Sequence, residues 1–110
     1  MNFITLTGNL TADPEMSFTG TGTPHCKFTV AVSQGKDREA LFIDCEVWND
    51  DISENVAMLK KGNRVTVVGR LKEDRWEYEG KKYRKFVVTA QDVAASCRWQ
   101  KITAEKIVVN

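Results

Sequence analysis

Five stretches of this 110-residue chain read as β-strands, and one short helical stretch separates the third strand from the fourth. Phe3-Ile4-Thr5-Leu6-Thr7-Gly8-Asn9-Leu10 alternates apolar and polar residues, then meets the turn-like Thr11-Ala12-Asp13-Pro14. Gly20, Gly22 and Pro24 punctuate the next turn. Lys27 to Ser33 alternates again, with Phe28, Val30 and Val32 on one face and Lys27, Thr29 and Ser33 on the other. A polar loop, Gln34 to Glu39, leads to a third strand from Leu41 to Trp48. Asp50, Asp51 or Ser53 can cap a helix over Glu54–Lys61, which Gly62 stops. Arg64–Leu71 forms a fourth strand. It continues as a charged ribbon, Lys72 to Glu79, which turns at Glu79-Gly80-Lys81-Lys82 and returns as Tyr83–Ala90. Three strands, a helix and two strands is the order of an OB-fold, a small all-β five-stranded barrel, here with a protruding β-ribbon. An immunoglobulin-like sandwich would not require that helix.

The length allows one core, so residues 1–97 are expected to form the barrel domain. Residues 98–110 form a C-terminal extension in which Lys106-Ile107-Val108-Val109 has the pattern of an extra strand. No apolar run approaches the roughly 18 residues of a membrane span, and no secretory leader pattern opens the chain. A cytoplasmic protein without membrane contact is therefore expected. Cys26, Cys45 and Cys97 are odd in number and far apart, with no C-x-x-C pair to hold a metal, and Cys26 and Cys45 lie in alternating stretches where a thiol is most often a small buried hydrophobe. No metal or other cofactor is expected. His25 lies in a Gly/Pro turn and reads as a solvated loop residue. Asp50-Asp51 reads as a helix cap rather than a Mg²⁺ site, so nothing in the chain composes a catalytic constellation, and no enzyme is expected.

The third strand carries the functional argument. Leu41, Ile43, Cys45 and Val47 share its core face, whereas Phe42, Asp44, Glu46 and Trp48 share the other. Acids are costly to bury unpaired, so this second face points to solvent and its two rings need a cover. A nucleic-acid base would serve, since stacking on an aromatic contributes about 1–3 kcal/mol for any base. A protein neighbour would serve equally. Trp76 and Tyr78 share a face of the ribbon with Lys72 and Arg75 nearby, an arm suited to a flexible strand, unless Trp76 pairs across the ribbon with Tyr83. Charge is divided along the chain. Through Asn55 there are three Lys or Arg against nine Asp or Glu; from Val56 there are thirteen against six. A basic second half can track phosphates despite a net charge of +1.

With these residues in view, the chain resembles the bacterial single-stranded DNA-binding proteins. The resemblance lies in Ile4 to Glu15, Phe28-Thr29-Val30-Ala31-Val32, Trp48 at its strand end, Glu54-Asn55-Val56-Ala57, and Lys61-Gly62 leading into Val67-Val68-Gly69-Arg70-Leu71. The Glu39-Ala40-Leu41-Phe42 segment and Cys97-Arg98-Trp99 look most like the actinobacterial branch, or a phage- or plasmid-borne version of it. The resemblance implies an OB-fold homotetramer that binds and protects single-stranded DNA during replication, recombination and repair. The setting would be the cytoplasm, in association with the nucleoid, or a host's cytoplasm if a phage encodes the chain. It implies stacking at Phe42, Trp48 and Trp76, and phosphate contacts at Lys61, Lys72 and Arg75. Lys27 and Tyr78 complete the expected DNA-binding set. It also implies that the C-terminal strand clamps neighbouring subunits.

Three departures from the family pattern stand out. The loop after the second strand offers Gln34, Gly35 and Lys36 where some members have an aromatic. Asp44 stands where arginine is common, with Glu46 beside it. Unless a cation pairs with them or they face base edges, these two acids are expected to weaken phosphate binding, so that Asp44→Arg would tighten it with a steeper salt dependence, or else to favour a protein-interaction module or accessory replication factor. Finally, the sequence reaches Val109-Asn110 without the acidic tail through which many members recruit repair proteins, so either a tail has been trimmed from it or this is a phage, plasmid or accessory version that does not recruit that way.

Overall fold

The computed structural model describes residues 1–108, apart from the side chain of Asp50. Six strands and one helix follow in the order β1 (Ile4–Leu10), β2 (Glu15–Phe18), β3 (Pro24–Val32), β4 (Leu41–Trp48), α1 (Asp50–Ala57), β5 (Arg64–Tyr78) and β6 (Lys81–Ala95). The sheet runs β1-β5-β6-β4-β3-β2. It closes where β1 also pairs with β3, Asn9 opposite Ala31 and Leu10 opposite Val30. Five strands thus form the expected OB barrel, with a short parallel contact between β4 and β6 at Cys45/Val88 and Glu46/Thr89. Closure removes the barrel's open edges, where unpaired backbone groups would otherwise invite aggregation.

Closing so small a barrel brings backbones together at two glycines. A Cβ on Gly8 would strike the Ala31 carbonyl oxygen, and one on Gly69 would strike that of Thr89. Gly69 borders the β-bulge that shifts the β5–β6 register after Val68. The core is aliphatic: Leu10, Val30, Val47, Val56, Val65, Val67 and Val88, with Phe28 and the thiols of Cys26 and Cys45. Burial pushes the Cys45 thiol up to about 12, with the Asp44 carboxylate adding to the effect, so it packs as a neutral hydrophobe. β5 and β6 extend beyond the barrel as the expected ribbon. It turns at Glu79-Gly80, both with positive φ, as a two-residue hairpin turn of twisted strands demands.

Four features differ from the sequence expectation. β2 forms an additional hairpin with β3, and β3 begins at Pro24, a position that proline tolerates as the first residue of a strand. His25 consequently lies in a strand and is only 8% exposed, not in a solvated loop. The helix spans Asp50–Ala57 rather than Glu54–Lys61, and its N-cap falls on Asn49, which makes no side-chain capping bond. Ser53 instead donates its buried hydroxyl to the Val47 carbonyl, 3.3 Å away. Asn63 turns the chain out of the helix early, its Oδ1 accepting the Lys60 N–H at 2.8 Å. Gly62, at φ 90°, belongs to this turn, where its N–H donates to the Leu10 carbonyl. Lastly, residues 101–108 form no strand within the chain; Val109 and Asn110 lie outside the described residues.

Candidate nucleic-acid interface

Residues directly opposite in antiparallel strands point to the same face. His25 faces Trp48, Lys27 faces Glu46, Thr29 faces Asp44, and Ala31 faces Phe42 across β3 and β4. On the ribbon Trp76 faces Tyr83, Asp74 faces Lys85, and Tyr78 faces Lys81. Side-chain contacts join the two sets: Asp44 meets Lys85 at 3.1 Å, and Glu46 meets Lys72 at 2.8 Å. One outward sheet surface therefore runs from the end of β4 onto the ribbon and carries Phe42, Trp48, Trp76 and Tyr78.

The rings differ in how open they are. Phe42 is 67% exposed, and Tyr78 is similarly open. Trp76 is 46% exposed and stacks on Tyr83, centroids 5.6 Å apart and planes within 14°. The cross-strand aromatic pair exists, and it leaves an open indole. Trp48 is half-buried and lies flat on His25, centroids 3.7 Å apart. Its Nε1–H donates to Glu46 Oε2 at 2.8 Å.

The two acids correct the expectation of an unpaired, repelling pair. Glu46 is 4% exposed, and its Oε2 also accepts from Lys72 Nζ at 2.8 Å and Thr89 Oγ1 at 3.2 Å. Burial alone would raise the Glu46 carboxyl's pKa; the Lys72 ammonium and the Trp48 and Thr89 donors outweigh it and hold the group below its ordinary value. The same hydrogen bond raises the Lys72 ammonium. Asp44 accepts from Thr29 Oγ1 at 2.9 Å and Lys85 Nζ at 3.1 Å, and these bonds likewise overcome its desolvation and lower it. The acids thus organise the face. With both paired, their motive for a protein-binding surface disappears.

The expected cations fare unevenly. Lys27 is exposed on the face, opposite Glu46 in register. Lys72 is tied to Glu46 and, at 3.3 Å, to Asp74. Arg75 lies on the other side of the ribbon from Trp76, facing Arg84 and paired with Glu73. Lys61 stands in the turn before β5, its backbone N–H donating to Asp13 Oδ1 at 2.8 Å. From sequence, the Trp76–Tyr83 pair was an alternative, His25 fell in a loop and Lys85 was overlooked, although it was within reach, because placing the turn at Glu79-Gly80 pairs Asp74 with Lys85.

A closed five-stranded OB barrel with an aromatic outer face and a long two-stranded arm defines the class. Within it, the model of the single-strand binding protein family matches residues 1–96, and the chain belongs to that family. It is 42% identical to the single-stranded DNA-binding protein of Mycolicibacterium smegmatis, over 87% of this chain and 64% of that one. It is 42% identical to that of Mycobacterium leprae, over 87% and 63%. For the Corynebacterium glutamicum protein the identity is 40%, over 94% and 50%. These relatives bear out the actinobacterial resemblance, and the chain spans less than two thirds of the length of each.

Proposed function

We propose that this protein binds single-stranded DNA with little regard to sequence and performs no catalysis. The observation that carries the reading is the open aromatic surface: Phe42 on β4 and the Trp76–Tyr83 pair on the ribbon occupy one sheet face. Open rings on a barrel face need a flat apolar partner, and every base supplies one. Trp48 acts as a fixed platform, backed by His25 and pinned by Glu46. Lys27, Lys61, Lys72 and, from the ribbon's other side, Arg75 supply phosphate contacts, while Asp44 holds Lys85 back, and Tyr78 extends the ribbon's stacking surface.

The family names of the relatives support this reading, and the protein would serve replication, recombination and repair in the cytoplasm, near the nucleoid. A homotetramer would let the strand pass from one barrel to the next, with the part of the C-terminal extension beyond Gln100 adding a strand across a subunit boundary. No helix among the described residues is long and apolar enough to cross a membrane. The test is an oligonucleotide titration followed by tryptophan fluorescence, with a band shift at low salt. Quenching with similar affinity for different sequences is expected; neither quenching nor a shift would refute the proposal.

A further inference from the structure

We propose that Trp99, flanked by Arg64 and Arg98, is an additional base-stacking site for single-stranded DNA, at the end of the barrel away from the ribbon tip. This inference rests on the DNA-binding reading above and extends the strand's path beyond the face already described.

Trp99 is 82% exposed, a large apolar ring left in water by a turn built to hold it there. Its backbone sits at φ 63°, a left-handed conformation that a bulky residue adopts only when its surroundings fix it. Those surroundings are specific. Ser96 Oγ accepts from the Arg98 N–H at 3.2 Å and from Arg64 Nη1 at 2.6 Å. The Gln100 carboxamide clasps the start of β5, accepting the Arg64 N–H at 2.8 Å and donating to the Arg64 carbonyl at 2.7 Å. Arg64 and Arg98 place their guanidinium carbons 5.0 and 5.6 Å from the ring centroid. Among the described residues neither guanidinium has a carboxylate within ion-pair distance, so both are available to an anion.

A largely open indole with two unneutralised guanidiniums beside it matches one nucleotide unit, a base for the ring's exposed surface and flanking phosphates for the cations. Charge complementarity therefore favours a nucleic-acid strand as occupant. The location suits an extended ligand. Arg64 opens β5 and Trp76 lies near its other end, a strand length of roughly 40 Å at about 3.3 Å per residue. A strand long enough to reach both ends gains a contact that a short one cannot.

The experiment compares the intact chain with Trp99→Ala and Trp99→Phe on oligo-dT of about 5 nucleotides, near the lower end of what a single barrel occupies, and about 30, well beyond its upper end. Trp99→Ala is expected to bind the short strand as the parent does and the long strand about tenfold more weakly, with Trp99→Phe restoring most of the loss. In a Trp48→Phe/Trp76→Phe protein, where Trp99 is the sole tryptophan, the long strand should quench the fluorescence. If the parent binds neither length, the DNA-binding reading itself fails. If the parent binds both and Trp99→Ala binds both equally well, or if the sole-tryptophan protein binds without quenching, the Trp99 site is refuted and the main reading stands. A change in the solution mass of DNA-free Trp99→Ala would also refute it, assigning the ring to a contact between copies.

Discussion

His25 lies flat against Trp48, ring centroids 3.7 Å apart and planes within 11°, while Glu46 fixes the indole N–H from the side. The pair links the barrel's stability to its outer face. The His25 Nε2 has no hydrogen-bond partner among the described residues and stands 3.5 Å from Glu46 Oε1. Burial lowers the imidazole below its ordinary 6.5, and the positive charges of Lys27 and Lys72 act in the same direction, while Glu46 opposes them.

A depressed histidine makes stability fall with acid. The unfolded chain takes up its proton near 6.5 while the folded one resists, so His25 contributes stability above that value and loses it as pH falls through the folded pKa. Thermal melts from about pH 8 to about pH 5 should show a falling Tm, and His25→Gln should flatten that portion of the profile. Asp44 and Glu46, also depressed, add a second decline below their ordinary 3.8 and 4.5, which the His25 variant should retain.

Glu46→Ala removes the acceptor shared by Trp48, Lys72 and Thr89. The expected loss is about 2 kcal/mol by urea denaturation, because two half-buried donors lose their partner, while Lys72, partly exposed, keeps Asp74 as a counter-ion. The Trp48 emission should broaden as the ring loses its anchor.

Asp44→Asn releases Lys85 from its ion pair while keeping an acceptor for Thr29. Binding to single-stranded DNA should tighten modestly, and the log–log salt slope should steepen by about 0.7 for one added phosphate contact. Asp44→Arg, by contrast, would set a second cation beside Lys85 and leave the Thr29 hydroxyl without its acceptor. A clean gain from that change is no longer expected.

Gly8→Ala and Gly69→Ala test the barrel closure. Each methyl would collide with a backbone carbonyl that cannot swing away, Ala31 in one case and Thr89 in the other. Each should cost upwards of about 2 kcal/mol, the usual range for overpacking at a rigid contact, and lower the Tm accordingly.

The barrel was legible because strand period, helix position and turn chemistry agree along the chain. Phe42, Trp76 and the Cys45–Val47 core followed from parity alone. What parity could not supply was the non-local pairing. Only the parallel contact of β4 with β6 brings Thr89 to Glu46 and Lys85 within reach of Asp44, whereas the ribbon register alone sets Lys85 against Asp74. The same gap hid His25, which is drawn into β3 by pairing with Ser17 of β2 and Trp48 of β4 and not by any alternation of its own. The helix was displaced because its start at Asp50 carries no side-chain cap to mark it, and its end gives way to a Lys60–Asn63 turn that the apolar pattern does not show.

The central claim is that the outer aromatic face is what grips the strand. The most direct measurement is the Kd for an oligo-dT strand in the parent and in Phe42→Ala/Trp76→Ala, whose side chains are exposed enough to remove without unfolding the barrel. At about 1–3 kcal/mol per stacked base, the double variant should bind about 10²- to 10⁴-fold more weakly with its melting temperature nearly unchanged. Equal affinity in the two proteins would contradict the account.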